Sequence, residues 1–149
     1  MECQKREKNW MKLEIESRSC NEEFARVTVG VFMSRLDPTL EELNDVKTAV
    51  SEAVTNCVIH GYEGRPGVIY IEAETMDRVL TVRIRDEGRG IADVERAMEP
   101  MYTTDESGER SGMGFSFMEA FMDQVLVESS PGAGTLVIMK KQIGGPAYG

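Results

Sequence analysis

Apolar residues recur along this chain with two periods, and the alternation between them marks its elements. Residues 12–16 (Lys-Leu-Glu-Ile-Glu) alternate and predict a short strand. Ser19-Cys20-Asn21-Glu22 then offers capping residues for a helix reaching about Leu36. Phe24, Val27, Val31, Phe32 and Leu36 form a stripe at helical spacing, which predicts the buried face. Arg26, Val29, Gly30 and Met33 then fall on the other side, an unusually apolar face for solvent. Scattered surface hydrophobes would account for it. A helix interface accounts for it equally well, since Gly30 would let a partner come close.

Asp37-Pro38 closes that helix, and Thr39-Leu40-Glu41-Glu42 is a capping box for a second one reaching about His60, with Gly61 as its terminator. Its buried stripe is Val46, Ala49, Val50, Ala53, Val54, Cys57 and Val58. Residues 68–75 and 79–86 alternate around Met76-Asp77-Arg78 and predict an antiparallel hairpin. Ile69, Ile71 and Ala73 face the core with Leu80, Val82 and Ile84, while Glu72 and Glu74 pair outside with Arg83 and Arg85. A short helix near 93–98, a loop over 99–111, a helix over 115–122 and a hairpin of 125–129 with 135–141 complete the order. Grouped helices with mostly antiparallel strands predict an α+β fold, a two-layer sandwich of a mixed, mostly antiparallel sheet packed on helices. One domain over 11–141 is expected, flanked by a disordered N-terminal extension (1–10) and a disordered tail (142–149).

Bulk properties narrow the function. A chain of 149 residues can bury one ordinary core. The formal net charge of −9 argues against affinity for a nucleic-acid backbone and leaves proteins, nucleotides or small molecules as partners. Three cysteines without a C-x-x-C pair suit a reducing compartment, and Cys57 lies in an apolar stripe, as a small core residue would. No apolar run approaches the roughly 18 residues of a spanning helix, so a cytoplasmic protein is expected. His60, the only histidine, supports no His-rich metal site.

Four separated pieces carry candidate chemistry. Glu52 and Asn56 are four apart, on the flank of the buried stripe, where a pocket can form at the rim of the core. Asn56 offers an amide oxygen suited to a Mg²⁺ that otherwise keeps waters and nucleotide phosphates. Glu52 could orient or deprotonate a nucleophile beside it. Asp86 ends a strand and can accept from an exocyclic amine such as that of adenine, with Gly88 and Gly90 letting backbone approach a flat base. The same residues also make an ordinary tight turn. Gly112-Met113-Gly114 precedes a helix whose amides can receive phosphate oxygens, and Arg110 supplies a cationic fork. Gly134-Thr135 is the weakest piece, since a hairpin turn needs the same residues. No G-x-x-x-x-G-K-[ST] supports a P-loop.

In order and spacing these pieces resemble the GHKL superfamily of ATP-binding domains, which includes gyrase B, histidine kinases and MutL. Glu52 to Asn56 matches its N box, Asp86 to Gly90 and Gly112 to Gly114 its glycine boxes, and Gly134-Thr135 its last motif. The stretches Phe24-Ala25-Arg26-Val27-Thr28-Val29, Ser51-Glu52-Ala53-Val54-Thr55-Asn56 with Ile59-His60-Gly61-Tyr62, and Glu109-Arg110-Ser111-Gly112-Met113-Gly114-Phe115 resemble the anti-sigma factor kinases of spore-forming bacteria. The likeness covers about residues 11–141.

That resemblance implies a homodimer that uses ATP and Mg²⁺. It would inhibit a sporulation sigma factor, sigma F, in its ATP-bound state and phosphorylate a serine of a STAS-type anti-anti-sigma protein. Glu52 would be the catalytic base, Arg110 a second catalytic residue, and Asn56 the Mg²⁺ ligand. Asp86, Gly88, Gly90 and Thr135 would hold the adenine, and Arg110 with Thr104, Ser111, Gly112, Met113 and Gly114 the phosphates. Arg26 would contact partner proteins from the outward face of the first helix. Thr103-Thr104-Asp105 departs from the pattern, which has a basic residue where Asp105 stands. The alternatives are a stress-response anti-sigma kinase of the anti-sigma-B type, a GHKL ATPase or histidine-kinase catalytic domain, and a nucleotide-gated binding module without catalysis.

Overall fold

The structure is a computed structural model and describes residues 8–99 and 114–144. Strand β1 (Asn9–Glu16) leads into helix α1 (Asn21–Met33), a 3₁₀ turn (Ser34–Leu36) and helix α2 (Leu40–Asn56). Strands β2 (Val68–Met76) and β3 (Val79–Asp86) follow, then the short helix α3 (Val94–Ala97). Helix α4 (Phe115–Phe121) precedes β4 (Gln124–Ser129) and β5 (Thr135–Gln142). The five strands form one sheet in the order β1-β2-β3-β5-β4, and each pairing among them is antiparallel, so the mixed sheet expected from the sequence is antiparallel throughout.

Alternation decides the two faces of the sheet. Ile69, Ile71, Ala73, Leu80, Val82 and Ile84 are buried under the helices, as their spacing predicts. On the outer face Arg83 reaches Glu74 at 2.9 Å and Glu72 at 4.0 Å. Arg85 does not join the strand glutamates. It lies 4.0 Å over the Tyr70 ring and 3.4 Å from Glu87. The β2–β3 turn places Asp77 and Arg78 at φ 51° and 75°, the backbone a two-residue hairpin needs but one that non-glycine residues adopt at a cost. Arg78 offsets part of it by donating to the carbonyls of Leu36 (2.6 Å) and Ile143 (2.7 Å).

Helix α1 corrects the sequence-based face assignment. Ala25, Val29, Gly30 and Met33 are buried, whereas Phe24, Val27 and Val31 are exposed. Both stripes are apolar, and side-chain size separates them. Ala25 and Gly30 let α1 lie close on α2, where a Cβ on Gly30 would meet Leu43 and Lys47 at 3.4 Å. Gly30 therefore serves an internal contact. Helix α2 carries the predicted capping box in full: Thr39 Oγ1 accepts from Glu42 N–H at 3.0 Å, and Glu42 accepts from Thr39 N–H at 2.8 Å. Its stripe of Val46, Ala49, Val50, Ala53 and Val54 is buried against α1, α4 and the sheet. Among the described residues no helix is long and apolar enough to cross a membrane.

Candidate functional site

Helix α2 ends at Asn56 and continues as one π-helical turn, Cys57–Gly61. Such wide turns are rare and concentrate at functional sites. Here the turn keeps Cys57 and Val58 buried and carries His60 to a pocket edge. Gly64 closes it at φ 78°, its N–H donating to the Val58 carbonyl at 3.0 Å. Gly61 has no positive φ and is not the terminator its sequence position suggests. It lacks a side chain for another reason: a Cβ there would stand 2.7 Å from Oδ2 of Asp86.

Asp86, the last residue of β3, is only 4% exposed. Its Oδ1 accepts the Gly88 N–H at 2.8 Å. Thr135, its register partner on β5, and Cys57 line the same pocket. Burial pushes this carboxyl above the usual range, and the donors of Gly88, Cys57 and Thr135 offset only part of that rise. Burial, and after it the Asp86 charge, pushes the Cys57 thiol well up, which makes it a donor and a poor nucleophile.

Asn56, Asp86, Gly90 and Thr135 line one pocket, walled on its apolar side by Ile91 and Phe115. The antiparallel β3–β5 pairing explains why two motifs so far apart in the chain meet, since it sets Asp86 opposite Thr135. Glycines make the surrounding turns fit. A Cβ on Gly88 would collide with the Gly61 carbonyl, and one on Gly134, at φ 79°, with the Asp86 carbonyl. The space these glycines provide is thus taken first by the chain's own backbone. Ser129 ties the turns together: its hydroxyl accepts from Ile91 N–H, donates to the Gly134 carbonyl and meets Thr135 Oγ1, all at 2.8 Å.

Glu52 sits one helical turn before Asn56, and both are half-buried. Gly114, at φ 77°, caps α4 beside it, and a Cβ on Gly114 would lie 2.5 Å from Glu52 Oε2. Arg26 is in a separate place and not on the outward face expected of it: it is half-buried on α1, on the side of the buried Val29, Gly30 and Met33. Its Nη1 is 3.3 Å from Glu22 Oε2, which also accepts from the Ser51 hydroxyl at 2.8 Å. Thr104, Arg110, Ser111, Gly112 and Met113, with the departing Asp105, lie outside the described residues.

The described residues hold no group of three or more His, Cys, Asp or Glu side chains able to grip a metal. A divalent ion at Asn56 would therefore take most of its ligands from water and phosphate, the donor set Mg²⁺ favours with nucleotides. The buried acceptor of Asp86 and the apolar wall of Ile91 and Phe115 suit a flat base carrying an amine. Sequence reasoning missed Gly61 and Ser129 as parts of this site and left Cys57 as plain core. For Cys57 and Gly61 the available signal was their position in the helix that carries Glu52 and Asn56.

A model of the histidine kinase-like ATPase domain matches residues 18–141. An anti-sigma F factor of Clostridium acetobutylicum is 59% identical over 134 residues, covering 90% of this chain and 94% of that protein. One from Caldanaerobacter subterraneus subsp. tengcongensis is 56% identical over 136 residues, covering 91% and 95%. Among solved structures, the RsbU and RsbW domains of Rv1364c from Mycobacterium tuberculosis share the fold, with a TM-score of 0.65 at 17% identity over 91% of this chain and 32% of that one. With the family model matching most of its length and its relatives aligned almost end to end, the chain belongs to the histidine kinase-like ATPase domain family, alongside the anti-sigma F factors.

Proposed function

We propose that this protein is an anti-sigma factor that binds ATP in the pocket at Asp86 and transfers its γ-phosphoryl group to a serine of an anti-anti-sigma protein. The observation that carries this reading is the meeting of Asn56, Asp86 and Thr135 in one pocket, with Glu52 one turn away against Gly114. Asp86 accepts the amine of adenine and Thr135 flanks it. Asn56 would hold Mg²⁺ through its amide oxygen, and the ion would neutralise phosphate charge. Arg110, with Thr104 and the backbone from Ser111 to Gly114, is assigned to the phosphates by the family resemblance.

In the transfer, Glu52 takes the proton of the acceptor serine as its oxygen bonds to the γ-phosphorus and the bond to the β-phosphate oxygen breaks, releasing ADP. Little covalent chemistry falls to the protein, so positioning dominates. Sequestration of sigma F and homodimerisation need an outward protein surface, and the exposed stripe of Phe24, Val27 and Val31 supplies one.

The test is incubation with ATP-Mg²⁺ and candidate anti-anti-sigma proteins, locating phosphoserine by mass spectrometry. Glu52→Ala should lower transfer by about 10²- to 10⁴-fold while ATP still binds. Normal transfer by this variant would refute the assignment of Glu52. A partner that binds but never gains phosphate would leave a nucleotide-gated binding module.

A further inference from the structure

Strands β2 and β3 stop pairing one rung early. Their register sets Tyr70 opposite Arg85, so two residues further on Val68 would face Glu87 and their backbones would bond. The Tyr62 hydroxyl stands in that place instead. It accepts from the Glu87 N–H at 2.7 Å and donates to the Val68 carbonyl at 2.6 Å. An inserted oxygen holds the two backbones further apart than a direct bond would, and β3 leaves the sheet after Asp86. Tyr62 is itself held at the end of the π-helical turn, its N–H donating to the Cys57 carbonyl at 2.8 Å. Its ring lies so close on Gly67 that a Cβ there would stand 2.5 Å from Cε1. The three amides that follow Asp86 are thus each engaged: Glu87 by Tyr62, Gly88 by the Asp86 carboxylate at 2.8 Å and Arg89 by the Gly61 carbonyl at 3.0 Å. Pairing with Thr135 on β5 fixes Asp86 within its strand but not the course of the chain beyond it.

We propose that Tyr62 is a positioning residue for base recognition: its hydroxyl ends the β2–β3 ladder and sets the path of the chain at Glu87, which places the Gly88 N–H on the Asp86 carboxylate. The inference rests on the ATP-binding reading above. Without the hydroxyl, the Glu87 N–H and the Val68 carbonyl each lack a partner, and the strands satisfy both by closing on a direct rung. That closure draws Glu87 towards β2 and the Gly88 N–H off the carboxylate. Asp86 then loses the bond that directs its free oxygen at the amine of a base. A tyrosine that only filled space would influence all nucleotides alike. One that sets this turn influences chiefly those that carry the amine.

The experiment is isothermal titration of the full chain and of Tyr62→Phe with ATP and with inosine triphosphate, which bears an oxygen in place of the amine. Amide hydrogen exchange at Gly88, read by NMR, accompanies it. Tyr70→Phe serves as a control, since the Tyr70 hydroxyl meets the carboxylate of Glu87 at 3.2 Å and not its amide. Tyr62→Phe should weaken ATP binding about threefold to tenfold, the range for one hydrogen bond, leave inosine triphosphate nearly unchanged and speed exchange at Gly88. Tyr70→Phe should alter none of these. Gly67→Ala presses a methyl group on the Tyr62 ring and should lower the same preference. Added to Tyr62→Phe it should lower the preference no further, because the hydroxyl it displaces is already gone. A Tyr62→Phe protein that keeps the ATP preference, or that loses affinity for both nucleotides equally, would overturn the role of Tyr62 alone. A parent protein that does not prefer ATP would overturn the assignment of Asp86, and this inference with it. Should Tyr62→Phe fail to fold, Gly67→Ala decides the matter, since an unchanged ATP preference there refutes the proposal.

Discussion

Replacing Gly61 by alanine would drive a methyl group into the Asp86 carboxylate, with Oδ2 2.7 Å, Cγ 2.8 Å and Oδ1 3.0 Å from the new Cβ. Carbon and oxygen at rest stay well over 3 Å apart, so Asp86 or the π-helical turn must move. Asp86 has little freedom, being buried and held by Gly88 N–H at 2.8 Å, and the turn is held by the Arg89 N–H on the Gly61 carbonyl at 3.0 Å. Overpacking of this kind costs about 1–3 kcal/mol. Against it, an alanine at a backbone angle it tolerates gains about 0.4–1 kcal/mol by restricting the unfolded chain. The net expectation is a loss of about 1–2 kcal/mol. With a urea slope of about 2 kcal/mol/M, the midpoint should fall by about 0.5–1 M at fixed protein concentration. ATP affinity should fall by about tenfold or more, because the displaced group is the base acceptor. Urea denaturation followed by nucleotide titration measures both. A variant that is more stable than the parent and binds ATP equally well would refute the claim that Asp86 requires glycine at this position.

Thr39→Ala removes the side-chain half of the α2 capping box and should cost about 1 kcal/mol, read as a lowered denaturation midpoint with ATP binding retained. Glu74 has its carboxyl held below the usual range by the Arg83 hydrogen bond, against partial burial. Its contribution is therefore present above the unfolded-state value and lost as pH falls through the folded one. Glu74→Gln should cost about 0.5 kcal/mol at pH 7 and nothing once both states are protonated, a convergence that stability curves against pH would reveal. Val31 is 69% exposed, so Val31→Ser should shift stability by no more than about 0.5 kcal/mol. The same change should weaken sigma-factor binding or self-association, as measured by analytical ultracentrifugation and pull-down. Unchanged association would remove the α1 stripe from the proposed interface.

Local pattern was sufficient for much of this protein. Alternation over residues 68–75 and 79–86 specified a hairpin and its inner face, because successive strand side chains must point to opposite sides. Thr39 and Glu42 specified the start of α2 because orphan amides there need acceptors. The motif residues Asn56, Asp86 and Thr135 were legible as pocket chemistry from residue type, spacing and family resemblance. Three matters lay beyond local pattern. Helix α1 has two apolar stripes, and only the fit of Ala25 and Gly30 against α2 decides which is buried, a matter of close packing between elements. The insertion of β5 between β3 and β4, which sets Thr135 opposite Asp86, is a choice of long-range pairing that neither strand specifies by itself. The meeting of Cys57 and Gly61 with Asp86 follows from both that sheet and the wide turn ending α2. Sequence alone determined the elements and the chemical groups available, since propensity, capping and alternation act over a few residues. The tertiary structure decided which faces pack and which distant groups share a pocket, since those outcomes are set by steric fit between segments far apart in the chain.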